Sequence, residues 1–374
     1  MKKITTVILA AGKSTRFKHN KSKIFQDLAG IAIINHVYQV AKRISNKEVI
    51  FVCNKENFVE IKNKFPYAEC VLQKNQKGTA DAIVCAKKYI KNKNLLILFG
   101  DVPLLSSATI TKLYNNYVKN GSIGSMIAFK ANNPYGYGRI KTINNKVLSV
   151  IEEINTSSSE KKIILCNSGV MLCNAKLLFN NIGKISDNNI KKEKYLPDIF
   201  QIFNSVEKSF SYILCPEEET LGINTIDDLI LVDKILQKKL KAKIIKNGVI
   251  LQQPETIRLC VDTKIKKGSI IEPFVTFKTR VLINKNVLIK SYSVIEECSI
   301  GENSSIGPSA RIRPKSKIGK NTKIGNFVEI KNSVIGNKNS ISHLSYIGDS
   351  HLGNNVNVGA GTITCNYDGN KKNK

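Results

Sequence analysis

The sequence predicts two unlike folds in one chain: an α/β domain built on a mostly parallel, Rossmann-like sheet, and after it a parallel β-helix. Three observations carry this. Up to about residue 225, short apolar runs alternate with helical segments. A helix with a polar start signal follows. Beyond residue 260, aliphatic residues recur every six positions.

The first part opens on ITTVILAAG and continues through IINHVYQVAKRI, EVIFVC, AIVCAKKYI and LLILFGD. Such alternation argues for strands joined by crossover helices, with ligands bound beyond the carboxyl ends of the strands. Both the basic loop LAAGKSTRFKHNKSK and Asp101 lie at such ends. The next segment places Thr225 as N-cap with Asp228 three residues on, and Ile226, Leu229, Ile230, Leu236 and Leu240 at helical spacing. Lysines gather at its far end, where the helix dipole favours them.

In the last part Ile300, Ile306, Ile312, Ile318, Ile324 and Ile330 are six residues apart. After a one-residue slip Ile335, Ile341 and Ile347 resume the step, and a second slip leads to Leu352 and Val358. Each unit reads as one short strand and one corner of a triangular coil, with the aliphatic side chain in the shaft and Gly, Asn or Ser at the corner. The expected division is 1–224 for the α/β domain, 225–247 for a linker helix and 248–374 for the β-helix.

Composition narrows the functional classes. With 374 residues and 42% hydrophobic content the chain has material for two cores. No signal-peptide pattern stands near the N-terminus and no apolar run approaches the roughly 18 residues of a spanning helix, so a cytoplasmic protein without a membrane partner is expected. Nine scattered cysteines without a C-x-x-C pair suggest neither a zinc site nor a disulfide framework. The net charge of +29 comes from 58 basic residues, only seven of them arginine. This diffuse lysine excess suggests non-specific adhesion to polyanions at low salt and no specific nucleic-acid partner.

A single glycine in a basic loop is a weak signal, and a solvated loop is an equal alternative. Four further stretches shift the balance: LQKNQKGTADA, LFGDVP, NPYGYGRI and CNSGV. In this order they resemble the nucleotidyltransferase domain of sugar-nucleotide pyrophosphorylases, most closely the bifunctional N-acetylglucosamine-1-phosphate uridyltransferase / glucosamine-1-phosphate acetyltransferase family. The family loop reads L-A-A-G-x-G-T-R-M followed by P-K. Leu9, Ala10, Ala11, Gly12, Thr15, Arg16 and Lys23 match it, whereas Ser14 replaces a glycine, Phe17 the methionine and Ser22 the proline. Ser14 adds a side chain where the backbone meets the triphosphate.

The chemistry accounts for the residue types. Joining a sugar 1-phosphate to a nucleoside triphosphate brings two anions together and expels pyrophosphate, which requires concentrated positive charge and backbone N–H donors. The resemblance implies that Arg16 and Lys23 act on the phosphates as catalytic groups, that the Gly12 to Arg16 backbone wraps the triphosphate, and that Leu9, Ala10, Ala11 and Gly12 bind the substrate. It implies Asp101 and Asn224 as Mg²⁺ ligands, suited by their hard oxygens. It also implies Gln73, Gly78 and Thr79, with Gln76, at the uracil, and Gly138, Glu152 and Asn167 at the sugar. Glu153 adjoins Glu152 in VIEE, so the register there is open between them; Tyr137 and Arg139 are expected as structural neighbours.

Among the four histidines, His19, His36 and His351 are expected in bland surface or packing roles. His343 lies in SHLSYIGD, after RIRP and NFVEIK and before NVNVGAGTITCNYDG, stretches that resemble the acetyltransferase half of the same family. Acetylating an amine requires a base to take its proton. The resemblance implies His343 as that base with Glu329 as an orienting carboxylate. It implies Arg313, Lys331, Tyr346 and Asn357 as sugar-phosphate ligands, and Ala360, Asn366 and Tyr367 at the acetyl-CoA side. It further implies a left-handed coil and a homotrimer.

The small molecules expected are therefore UTP, N-acetylglucosamine 1-phosphate, glucosamine 1-phosphate and acetyl-CoA, with Mg²⁺ as cofactor. Family members continue beyond D-G-x-N-K for several coils and an arm, whereas this sequence runs to Lys374. The β-helix is on that ground expected to be C-terminally incomplete and acetyl transfer to be weak. A uridyltransferase alone, with the β-helix as a trimerisation scaffold, is the alternative; a trimeric binding scaffold with a vestigial site is a third reading.

Overall fold

The computed structural model describes residues 3–17, 22–46, 48–189, 192–206 and 208–371. His19 and Lys374 lie outside them. The chain forms two compact units, one of residues 1–27 and 32–232, the other of residues 28–31 and 233–374. The division falls inside the helix Ile226–Lys246.

The first unit is built on a nine-stranded sheet. From one edge, Glu69–Leu72, Val49–Cys53, Ile4–Ala10 and Asn94–Phe99 pair in parallel. The long strand Leu165–Asn174 then enters antiparallel between Asn94–Phe99 and Gly124–Lys130, and Phe210–Leu214 pairs with the latter in parallel. The antiparallel hairpin of Arg139–Ile143 and Lys146–Ile151 completes the sheet. The sheet is thus mixed, with the expected parallel order confined to the first four strands and to one later pair. The sequence VIFVC is buried throughout because both faces of a central strand are covered. Successive side chains divide between two cores: Val7, Ile50, Val52, Leu95 and Ile97 face one, and Ile8, Val49, Phe51, Leu96 and Leu98 the other.

The second unit contains three parallel sheets of seven, six and five short strands. Ile265 pairs with Ile283, Ile283 with Ile300, Ile300 with Ile318 and Ile318 with Ile335. These partners are alternately 18 and 17 residues apart, three hexads with or without the slip. The repeated parallel strands thus fit a β-helix, and its shaft is filled by Ile271, Phe277, Ile289, Ile306, Ile312, Ile324, Ile330 and Ile347. The repeat extends upstream of Ile300, to the strand Ile250–Leu251.

The corners differ in composition from the expectation. Asn286, Asn303, Asn321 and Asn355 take the left-handed backbone conformation there, but so do Phe274, Tyr292, Phe327 and Leu344. Bulky residues seldom adopt it. Buried hydroxyls also serve the coil, as Ser269 donates to the Asn284 carbonyl and Ser304 to the Gly319 carbonyl. Among the described residues no helix is long and apolar enough to cross a membrane.

Candidate functional site

In the first unit, the carboxyl ends of Ile4–Ala10, Glu69–Leu72 and Asn94–Phe99 open onto a cleft of about 650 Å³. Leu9, Ala10, Ala11, Gly12, Lys23, Gln73, Gly78, Thr79, Asp101, Gly138, Glu152 and Asn167 all line it. Most of the residues singled out in the sequence for the first activity therefore meet in one place. Arg16 does not line the cleft and is exposed on the loop.

The loop after Ala10 is held by two buried asparagines that the motif does not contain. Asn57 Nδ2 donates to the Ala10 carbonyl at 2.8 Å, and Asn54 Nδ2 to the Ala11 and Gly12 carbonyls at 3.4 and 3.3 Å. The two also brace each other, each side-chain oxygen accepting from the other's backbone N–H. Gln76 Nε2 donates to the Ala11 carbonyl as well. With their carbonyls engaged, the loop's peptides are fixed. Ser14, at the glycine position of the family motif, has φ +55°, in the region a side chain disfavours.

Lys23, on a short helical turn Lys23–Phe25, is only 8% exposed. Its Nζ lies 2.5 Å from Asp101 Oδ2 and 2.9 Å from Asn224 Oδ1. The Thr225 cap expected from sequence fixes Asn224: the Asp228 carboxylate accepts from the N–H groups of Asn224 and Thr225, and Asp228 N–H donates to Thr225 Oγ1. One cation thus already reaches both oxygens. A carboxylate and an amide oxygen suit a hard divalent ion that keeps waters and phosphate as further ligands. Among the described residues no group of three or more His, Cys, Asp or Glu is arranged to hold a metal ion by itself.

In one part of the cleft, Gly78 has φ +101°, and a Cβ there would lie 2.6 Å from the Lys194 carbonyl. The close approach pairs Gly78–Thr79 with the segment 193–197: Ala80 N–H donates to Lys194 O, and Leu196 N–H to Thr79 Oγ1. Glu193, Tyr195, Leu196 and Pro197 thereby join the lining. Nothing local in their sequence signals this, because the contact depends on chain returning from over a hundred residues away. Gln73 is buried, its amide donating to Gly78 O and to Asp81.

Beside Gly138 the structure separates the two adjacent glutamates. Glu152 lines the cleft beside Gly138. Glu153 turns away to Arg139 at 2.6 Å and accepts from Gly136 N–H. Arg139 is 1% exposed and also donates to the Tyr137 carbonyl, so it is a structural neighbour, whereas Tyr137 lines the cleft. Burial pushes the Glu153 carboxyl up, but the Arg139 hydrogen bond, the Gly136 N–H and the charges of Arg139 and Lys161 together hold it below the ordinary glutamate value. Asn167 Oδ1 accepts from Gly169 N–H, at an irregularity in the strand Leu165–Asn174.

In the second unit the other candidates lie on stacked coils. Arg313 Nη1 is 2.7 Å from Glu329 Oε1, and Glu329 pairs in register with Tyr346. Lys331 Nζ is 3.6 Å from Asp349, which also accepts from Asn332 and Asn366. Asn357 pairs with Ser340 on the strand Asn357–Val358; Ala360 and Tyr367 are exposed, and Tyr367 hydroxyl donates to the Gly369 carbonyl. His343 Nδ1 meets Asn326 Oδ1 at 2.8 Å. The expected orienting carboxylate is thus not the group hydrogen-bonded to the imidazole: Glu329 is engaged by Arg313, because its strand position falls one corner away from His343. His36 is buried and His351 exposed.

None of the nine cysteines is in a disulfide, and burial pushes the Cys173 and Cys298 thiols up to about 12, as inert core groups.

A MobA-like NTP transferase domain matches residues 6–167, and a GMPPB C-terminal domain matches residues 294–367. A solved structure described as a putative glucose-1-phosphate thymidylyltransferase from Bacillus anthracis shares the fold over 62% of this chain and 94% of its own, at TM-score 0.51 and 14% identity. Proteins named bifunctional protein GlmU are similar over nearly the whole chain. That of Bartonella bacilliformis is 33% identical over 99% of this chain and 83% of its own length. Those of Rhodopseudomonas palustris strain BisA53 and Buchnera aphidicola subsp. Schizaphis graminum are both 38% identical, over 99% and 98% of this chain and 82% and 84% of theirs. By this likeness, which runs through both units, the chain belongs to the bifunctional GlmU family.

Proposed function

We propose that this chain transfers a uridylyl group from UTP to N-acetylglucosamine 1-phosphate, releasing pyrophosphate, and that its β-helix acetylates glucosamine 1-phosphate with acetyl-CoA. The observation that carries the first activity is the Lys23–Asp101–Asn224 cluster at one end of a cleft whose other parts suit a base and a sugar. The cleft's size and few convergent polar groups are those of a small-ligand site.

In this reading the sugar phosphate's oxygen attacks the α-phosphorus of UTP, the α–β bridging bond breaks, and pyrophosphate leaves. The backbone from Ala10 to Gly12, braced by Asn54 and Asn57, offers fixed N–H donors. Lys23 neutralises phosphate charge, and Arg16 reaches the phosphates from the exposed part of the loop. Glu152 and Asn167 hold the sugar. Asp101 and Asn224 hold Mg²⁺, which when bound supplies positive charge against the phosphates. At the second site His343 takes the amine proton while Arg313, Lys331, Tyr346 and Asn357 hold the sugar phosphate; Ala360, Asn366 and Tyr367 lie on the acetyl-CoA side.

Family membership also supports a left-handed sense for the coil, a homotrimer and a cytoplasmic setting. Release of pyrophosphate from UTP and N-acetylglucosamine 1-phosphate tests the first activity; no release in the presence of Mg²⁺ refutes it. Free CoA formed from acetyl-CoA and glucosamine 1-phosphate tests the second separately.

A further inference from the structure

The β-helix brings one unexpected group to the imidazole of His343. Asn326 and His343 are the last residues of the neighbouring parallel strands Lys323–Asn326 and Ser340–His343, and they are paired in register. Their backbones are locked together, Leu344 N–H donating to the Asn326 carbonyl. Each is followed by a corner residue with positive φ, Phe327 or Leu344. The next coil leaves no room for a side chain at Gly325, since a Cβ there would lie 1.8 Å from the Ser342 carbonyl oxygen. Ser345, nearly buried, further pins the histidine by donating to its carbonyl.

A side-chain amide oxygen only accepts hydrogen bonds. The 2.8 Å contact between Asn326 Oδ1 and His343 Nδ1 therefore requires the proton on Nδ1, which leaves the lone pair on Nε2. We propose that Asn326 is a positioning residue for the acetyl-transfer site: it fixes His343 in the Nδ1–H tautomer and aims Nε2 as the basic atom. This rests on His343 being the base. A carboxylate in that place would also fix the tautomer, but it would add charge; Glu329, the carboxylate on the next strand, is taken by Arg313 at 2.7 Å. In the transfer, the amine nitrogen bonds to the acetyl carbon, the thioester C–S bond breaks, and CoA leaves as the thiolate. Nε2 accepts the amine proton and can return it to the sulfur.

The test reads the tautomer directly, without turnover. The full chain labelled with ¹⁵N-histidine has four histidines, and a His343→Gln spectrum identifies the signals of His343. Above the titration of the ring, the wild-type protein should show a pyrrole-type Nδ1 and a pyridine-type Nε2. Asn326→Leu, which removes the acceptor, should shift the population toward Nε2–H, whereas Asn326→Asp should keep Nδ1–H. Circular dichroism melting of each variant confirms that the coils persist. A wild-type Nε2–H tautomer, or a Leu variant with unchanged ring shifts, overturns the proposal. In the CoA-release assay, Asn326→Leu should lower kcat roughly tenfold or more with little change in KM for glucosamine 1-phosphate, and Asn326→Asp should restore part of it. CoA release that survives His343→Ala would instead sink the reading of His343 as the base, while the tautomer result would still stand.

Discussion

Lys23 Nζ lies 2.5 Å from Asp101 Oδ2, with Asn224 Oδ1 2.9 Å away on another side of the same ammonium. The lysine thus sits where the two proposed metal ligands converge. Opposite charges partly shielded from water interact strongly, so the ammonium competes with any divalent cation that arrives alone. Replacing Lys23 by methionine should tighten Mn²⁺ binding in the absence of nucleotide, measured by electron paramagnetic resonance, while lowering turnover in its presence. Unchanged Mn²⁺ affinity would show that lysine and metal occupy different places.

Asp101→Asn should abolish that Mn²⁺ binding and lower pyrophosphate release by about two orders of magnitude or more, the scale of several kcal/mol of lost charge stabilisation. Asp101 lies outside both cores with its side chain 23% exposed, and an asparagine amide there can still accept from Lys23, so the thermal midpoint should fall only by what the lost ion pair contributes. Near-normal turnover with Mg²⁺ would remove Asp101 from the site.

Ser14 holds φ +55° without being glycine. Ser14→Gly should relieve about 1 kcal/mol of backbone strain and tighten UTP binding modestly, as read by calorimetry. Weaker binding in the variant would mean that the serine hydroxyl is itself a ligand.

Glu152 and Glu153 should separate by kind of defect. Glu152→Gln is expected to raise KM for N-acetylglucosamine 1-phosphate with the fold intact. Glu153→Gln leaves the buried Arg139 without its counter-ion and should cost about 3 kcal/mol of stability. Because the folded Glu153 carboxyl is held below its unfolded value, its contribution is present above the ordinary glutamate range, about 4.3, and is lost as pH falls through the folded value. The gap in melting temperature between wild type and Glu153→Gln should therefore be full at pH 7 and shrink below pH ~4. A gap constant with pH would refute the ion-pair account.

Gly78→Ala would set a methyl against the Lys194 carbonyl at a backbone angle that suits glycine. It should loosen the pairing of Gly78–Thr79 with the segment 193–197 and raise KM for UTP several-fold, with KM for the sugar phosphate less affected. Equal effects on both substrates would place the base elsewhere.

Sequence by itself determined the features written in local period and local chemistry. Six-residue spacing from Ile300 to Val358 specified a stacked coil, because each aliphatic side chain has only the shaft in which to be buried. Thr225 and Asp228 specified a helix start through contacts three residues apart. The glycine-bearing basic loop and Asp101 were legible as cleft residues because both follow the carboxyl ends of strands. Only the tertiary structure decided what depends on register between distant segments. It chose Glu152 over Glu153 for the cleft, since Arg139 on the paired strand claims the other. It inserted Leu165–Asn174 antiparallel into a sheet whose apolar runs read alike in either direction. It gave His343 the amide of Asn326, since coil stacking 17 residues apart, and not sequence proximity, sets which side chain lies beside the imidazole.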